Sequence, residues 1–245
     1  MIKFFRKIRQ KTLTENKFGK YLTYAIGEII LVVIGILIAL SINNWNENRK
    51  SENQLNTIYN EVEQNLKSDL SNIDDVIKRY EQLELRLEKF ITEGYSNIPL
   101  DSINVTNYLD FTTIPMDINS FIAFDIQDKG IGLLKTYNDF NTSGNKDLTN
   151  EIIQFYNIDE SLNLVLDKLK EESFNNIKYI EQFSWYSHHM TMKYNPKTIA
   201  FFAKSKIFKN KVVTYRLIAI ENFLPLLRYY KESATTLLEK IETAN

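Results

Sequence analysis

The sequence predicts an all-α protein: one N-terminal transmembrane helix, then a long stalk helix and an antiparallel helical bundle. Three observations carry this. An uninterrupted apolar run lies near the N-terminus, apolar residues recur at steps of three and four through most of the remaining chain, and turn formers are scarce, with 7 Gly and 4 Pro in 245 residues. A β-sandwich or a Gly-rich nucleotide-binding fold would need far more of both residue types, whereas helices need little of either. The absence of Cys excludes a disulfide framework, cysteine-ligated zinc and thiol catalysis. Charge is unevenly placed. Residues 1–20 hold seven basic residues and one acid, a net +6, which leaves −7 on residues 21–245 out of −1 overall.

The first element is the stub, residues 1–20. Ile2, Phe5 and Ile8 recur every third residue among Lys and Arg. That pattern fits a short cationic helix on an anionic leaflet, or simply a basic flank. The transmembrane helix comes next, over residues 21–45. From Tyr21 to Ile42 the only charge is Glu28, and 22 residues at 1.5 Å each span roughly 33 Å, enough for the hydrocarbon core. Tyr21 and Tyr24 at one end and Trp45 at the other suit an aromatic belt. Lys3, Arg6, Lys7, Arg9, Lys11, Lys17 and Lys20 crowd the N-terminal side, while Glu47, Arg49, Lys50 and Glu52 alternate on the other. The positive-inside rule therefore places the N-terminus in the cytoplasm and residues 46–245 outside the inner membrane, in the periplasm. A cleaved signal ending near Ala39-Leu40-Ser41 fits less well, because the leader is long and the apolar run exceeds a usual signal core. A pilin-like leader would want its Glu farther from the Gly than Gly27-Glu28 allows.

Within the span, Gly35 and Ala39 lie within about 20° of Glu28 at 100° per residue. Small residues allow close backbone approach, and a carboxyl in the span is costly unless it faces protein or water. Glu28, Gly35 and Ala39 thus form a candidate stripe for association with another helix, in a protein partner or a second copy of the chain. The plainer alternative is that Glu28 marks the cytoplasmic edge of the core.

The segment KYLTYAIGEIILVVIGILIALSINNWNE, Lys20 to Glu47, resembles the anchor of an uncharacterised family of small single-span membrane proteins common in Bacteroidota, especially flavobacteria. A second stretch, from Ser120 through Gly130-Ile131-Gly132-Leu133-Leu134 to Leu148, Ile152 and Tyr156, resembles that family's aromatic-Gly-Leu segment and the short helix after it. The resemblance implies an envelope location and brings no activity, cofactor or catalytic residue with it.

After the span, Leu55, Ile58, Val62, Leu66, Leu70, Ile73, Ile77, Tyr80, Leu83, Leu87 and Phe90 mark one helix from about Asn43 to Glu93, stopped at Gly94. It is roughly 75 Å long if straight and has no internal Gly or Pro, so it reads as a stalk continuing the membrane helix. Residues 94–118 read as a loop around a short helix near Asp101 to Leu109. Short helices are expected near Asn119 to Asp128 and Asp147 to Asn157, on either side of a tight Gly130-Ile131-Gly132 turn and the polar loop after it. Leu162, Val165, Leu169, Phe174, Ile177, Ile180 and Phe183 predict a helix from about Asp159 to Tyr186, broken by SHHMTMKYNP. A short helix follows Pro196, and a last one runs from about Lys209 to Glu242, kinked at Pro225 because a mid-helix Pro removes a donor and clashes with the preceding turn.

Chemistry is sparse. There is no G-x-S-x-G, H-E-x-x-H, Walker loop or E-x-x-H pair. His188, His189, Met190 and Met192 offer donors suited to Cu(I), though a carrier would repeat such ligands and the chain has no other His. Asp139, Asn141, Ser143, Gly144 and Asp147 fall at positions 1, 3, 5, 6 and 9 of an EF-hand-like loop. Its twelfth residue is Asn150 rather than Glu, so a polar turn in which Asp147 caps the next helix competes with a weak calcium site. No cofactor is expected. The acidic exported body and small basic stub disfavour nucleic acid and leave membrane lipid and a protein partner. The reading is a non-catalytic envelope protein, an interaction or scaffold module. The alternative is an extracytoplasmic ligand-sensing bundle that signals through a partner.

Overall fold

The computed structural model describes residues 18–95, 99–137 and 146–244. It is all-α, with no strand among the described residues. Those residues form two compact units, 18–55 and 56–244. Helix α1 (Phe18–Glu93) supplies the whole of the first and opens the second. The basic stub, apart from its last residues, lies outside the described residues.

In the first unit, α1 is one helix long and apolar enough to cross a membrane by length and composition. Its most apolar 18-residue window has a mean hydropathy of 2.8, and none of that window is buried. Ile29, Leu31, Val33, Leu37, Leu40 and Ile42 all stand exposed. Burial among the described residues therefore does not explain why they are apolar.

In the second unit, α1 carries a heptad. Tyr59, Leu66, Ile73, Tyr80 and Leu87 alternate with Val62, Asp69, Val76, Leu83 and Phe90, and all but Val76 are buried. Leu70, which the apolar count places on the inner face, is only half-buried, and Asp69 takes the core position instead. Gly94 ends the helix at φ 60°, its N–H donating to the Phe90 carbonyl at 2.7 Å, the left-handed stop that only Gly makes cheaply.

Then come a 3-10 turn (Leu100–Ser102) and two short helices, α2 (Tyr108–Phe111) and α3 (Thr113–Asp117). No helix forms at 119–128, contrary to the sequence expectation. Residues 120–128 contain neither helix nor turn, and their exposure alternates: Ile122, Phe124 and Ile126 face inward while Phe121, Ala123, Asp125 and Gln127 are exposed. That two-residue period is the signature of an extended strap. The Gly130-Ile131-Gly132 turn is also corrected, since these residues lie inside α4 (Lys129–Thr136).

Helices α5 (Lys146–Phe155) and α6 (Ile158–Ile180) follow, and α6 is shorter than expected, with α7 (Tyr186–Met190) running from the end of the expected helix into the segment read as a break. In α8 (Pro196–Lys204), Pro196 sits at the first turn, where its missing N–H costs nothing, and the Asn195 side chain caps Lys197 N–H at 2.9 Å. In α9 (Lys206–Arg216), Ser205 caps Phe208 N–H at 3.2 Å. The helical path continues through a π segment, Leu217–Phe223, into α10 (Leu224–Ala244). Leu224 N–H donates to the Ala219 carbonyl, one residue farther back than in an α-helix. The widened turn lies directly before Pro225 and gives its ring room against the preceding carbonyls.

The α9–α10 path runs antiparallel to α1. Lys67 pairs with Glu242 at 2.7 Å, Asp74 with Lys231 at 2.6 Å, Glu81 with Arg228 at 2.8 Å and Glu88 with Arg216 at 2.9 Å. Numbers rise by seven on α1 as they fall on the partner helix. These pairs are largely exposed and each contributes about 0–1 kcal/mol, so they act chiefly to set register.

Candidate functional site

Asn65, Asp69, Ser173 and Asn176, four of the buried polar residues of the second unit, converge with Tyr80 and Tyr215 on the strap and its ends. Asn176 on α6 donates to the Ile118 carbonyl at 2.9 Å, and its own carbonyl accepts from Lys211 at 3.0 Å. The Ser120 carbonyl accepts from Tyr215 at 2.6 Å and Ser173 at 3.2 Å. Tyr80 on α1 donates to the Ile122 carbonyl at 2.8 Å while Ile122 N–H donates back to the same hydroxyl at 3.2 Å. Asp69 accepts Gln127 N–H at 3.2 Å on both oxygens, and Asn65 accepts Gly130 N–H at 2.8 Å. An extended segment crossing helices has no ladder to satisfy its backbone, so side chains do it.

Asp69 is the most costly of these groups. It is 1% exposed and its second partner is Tyr230, whose hydroxyl donates at 2.5 Å. Burial raises its carboxyl above the ordinary range, opposed by the bonds from Tyr230 and from Gln127 N–H. The Tyr156 hydroxyl is buried without a hydrogen-bond partner among the described residues, and burial followed by the charges of Asp69 and Asp128 makes it a weaker acid. Both oxygens of Asp69 are held, so it is a structural anchor and a poor proton donor to any external molecule.

Gly130 explains how close α4 lies to α1. A Cβ there would sit 2.7 Å from the Val62 backbone nitrogen and 2.8 Å from its Cα. At Gly132 a Cβ meets nothing within 4 Å. The first glycine admits the helix backbone and keeps the Asn65 bond short; the second is an ordinary surface position.

The sequence-derived candidates are not gathered into one place. Glu28, Gly35 and Ala39 are all exposed on the first unit, and a Cβ at Gly35 would meet nothing within 4 Å among the described residues. Asp139, Asn141, Ser143 and Gly144 lie outside the described residues, while Asp147 is exposed in the first turn of α5, where its charge suits the helix dipole. Among the described residues, no group of three or more His, Asp or Glu is placed to hold a metal ion. The His-Met cluster is split. His188, Met190 and Met192 are exposed, whereas His189 is 1% exposed, its ring 4.9 Å from Phe202 and 6.2 Å from Trp185. Its Nδ1 has no partner among the described residues, and burial lowers its pKa to about 4.

One surface feature was not legible from the sequence. An open groove of about 750 Å³ runs between α5, α6 and α10, walled by Phe155, Ile158, Leu226, Tyr229 and Leu237 and by the Glu151–Lys240 pair, which meets at 2.8 Å. Its residues come from three elements with no common motif, so only the fold assembles it.

Residues 28–93 match a family of unknown function, DUF6090. The match ends where α1 ends. No curated protein and no solved structure matches the chain.

Proposed function

We propose that this chain is a non-catalytic, membrane-anchored envelope protein whose helical bundle holds a protein partner. The observation that carries the reading is where its buried polar side chains go. Asn65, Asp69, Tyr80, Ser173, Asn176 and Tyr215 all bond to backbone between Ile118 and Gly130, so these six side chains are committed to architecture rather than to a reactive centre. The uncovered apolar run of α1 supports the anchor, because such a run in water would aggregate. The charge asymmetry around it supports a cytoplasmic N-terminus and a periplasmic bundle in the inner membrane. The likeness of Lys20–Glu47 to an anchor common in Bacteroidota agrees with an envelope location. The stripe of Glu28, Gly35 and Ala39 would pair the anchor with a partner's helix or with a second copy.

A second reading, ligand sensing through a partner, is favoured by the groove beside Tyr229, whose volume suits a small molecule. Crosslinking and affinity capture of the full chain from native membranes separates the two. A protein recovered in near-equal amount, and lost with Tyr229→Arg or with changes elsewhere on the bundle surface, supports the interaction module. Recovery of the chain alone, with a melting temperature raised by a small-molecule extract of the same cells, supports sensing.

A further inference from the structure

From Ser120 to Ala123 the strap has two edges and only one is used; farther on, at Gln127, the N–H on the other edge turns in to Asp69. In an extended chain the N–H and C=O of alternate residues point to opposite sides. Ile122 turns both its groups to Tyr80, and the Ser120 carbonyl points the same way, to Tyr215 and Ser173. The backbone groups of Phe121 and Ala123 therefore point to the other side, and among the described residues neither makes a hydrogen bond to protein. Both residues are exposed. Among the described residues this is a short unpaired extended edge, Phe121 to Ala123, lying on helices. Residues 119–128 contain neither Pro nor Lys, and the outward charge along this edge is the carboxylate of Asp125.

The surface along the edge has a definite chemistry. Phe121 presents an exposed ring, with the Lys170 ammonium 5.9 Å from its centre. Asp125, four residues on, and Asp128 are exposed and pair with no cation among the described residues. Lys129 beside them is already engaged with Glu61 at 3.0 Å. The edge thus runs from an aromatic end to an acidic end.

We propose that the outward edge of the strap, at Phe121 and Ala123, docks one extended segment of another protein by strand addition, with an apolar residue of that segment beside Phe121 and a basic one beside Asp125. Main-chain bonds would supply affinity and the two side-chain contacts the selectivity. The inference deepens the interaction reading above and rests on it, naming the partner's chemistry.

The test uses the full chain in detergent micelles and two end-blocked, dye-labelled peptides, Lys-Val-Lys-Val-Lys-Val-Lys and its counterpart with Glu in place of Lys, followed by fluorescence polarisation. The basic peptide should bind at least tenfold more tightly than the acidic one. Ala123→Pro removes the outward N–H and favours the extended conformation at Ile122, so it should weaken binding at least tenfold, and Ala123→Ser should leave it unchanged. Asp125→Lys should weaken the basic peptide by a similar factor. On the unmodified chain the peptide should protect the Phe121 and Ala123 amides from hydrogen exchange, a readout that stands even if Ala123→Pro disturbs the strap. Equal binding of both peptides, unchanged affinity in Ala123→Pro, or no protection of those two amides overturns the proposal. Concentration-dependent dimerisation abolished by Ala123→Pro would give the edge to a second copy and overturn it too. A partner captured from membranes whose recovery ignores Ala123→Pro would sink this inference and leave the interaction reading standing.

Discussion

Replacing Gly130 with Ala tests the packing of α4 on α1 at a single methyl group. The new Cβ would lie 2.7 Å from the Val62 nitrogen and 2.7 Å from its Cγ2, and the nitrogen belongs to helix backbone that cannot swing aside. α4 must retreat, at about 1–3 kcal/mol for overpacking. Retreat also stretches the 2.8 Å bond from Gly130 N–H to the Asn65 carbonyl; a buried acceptor left unsatisfied costs about 1–3 kcal/mol more. Ala is the better helix former by about 1 kcal/mol, which offsets part of this. The net expectation is a loss of about 3 kcal/mol, or roughly 6–12 °C in melting temperature for a chain of this size. Gly132→Ala two residues on meets nothing within 4 Å and should gain up to about 1 kcal/mol. Thermal and urea unfolding of the full chain in detergent, followed by circular dichroism, measures both. Equal effects of the two substitutions, or a loss below about 1 kcal/mol at Gly130, would refute the close-approach argument.

Three other outcomes are expected. His189 stays neutral in the fold with its pKa lowered from 6.5 to about 4 by burial, so about 3 kcal/mol of stability present above pH 6.5 should be lost as the pH falls toward 4. His189→Phe, beside Trp185 and Phe202, should flatten that loss; an unchanged pH profile in denaturant titrations would contradict it. Tyr80→Phe removes the single hydroxyl that serves both groups of Ile122 and should cost about 1–3 kcal/mol, with faster hydrogen exchange at Ile122; exchange as slow as in the unmodified chain would count against the strap anchor. In a membrane two-hybrid assay on residues 20–47, Gly35→Ile and Glu28→Ala should each reduce association while Val33→Leu does not, and equal signal from all three would leave the stripe without a role.

The long helices were legible because each presents a continuous apolar face, and Gly94 and Pro196 mark boundaries with a backbone reason. Counting apolar residues failed at Asp69. The turn needed a core position there and filled it with an acid that binds the strap, while Leu70 drew the count one residue aside. The apolar content of the strap suggests helix, although Ile122, Phe124 and Ile126 already alternate with Ala123, Asp125 and Gln127. What no local pattern could supply was the set of distant side chains, from Tyr80 to Tyr215, that lets an isolated extended segment lie on helices. Gly130 and Gly132 look alike in sequence; only the proximity of Val62 tells them apart. Pro225 points to a place where a regular α-helix is disfavoured, and what the sequence did not show is that residues 217–223 before it form a π segment packed against α6.

The central claim, an anchored chain with its bundle outside the cytoplasm, is open to one direct measurement. The chain has no Cys, so Ser161→Cys, at an exposed position on α6, introduces a single thiol. Washed, sealed spheroplasts expressing that full-length variant are treated with a membrane-impermeant maleimide before and after lysis. The account predicts that labelling is complete before lysis and that lysis adds nothing. Labelling that requires lysis would place the bundle in the cytoplasm, and a chain lost to the wash would show that residues 21–45 do not hold it in the membrane.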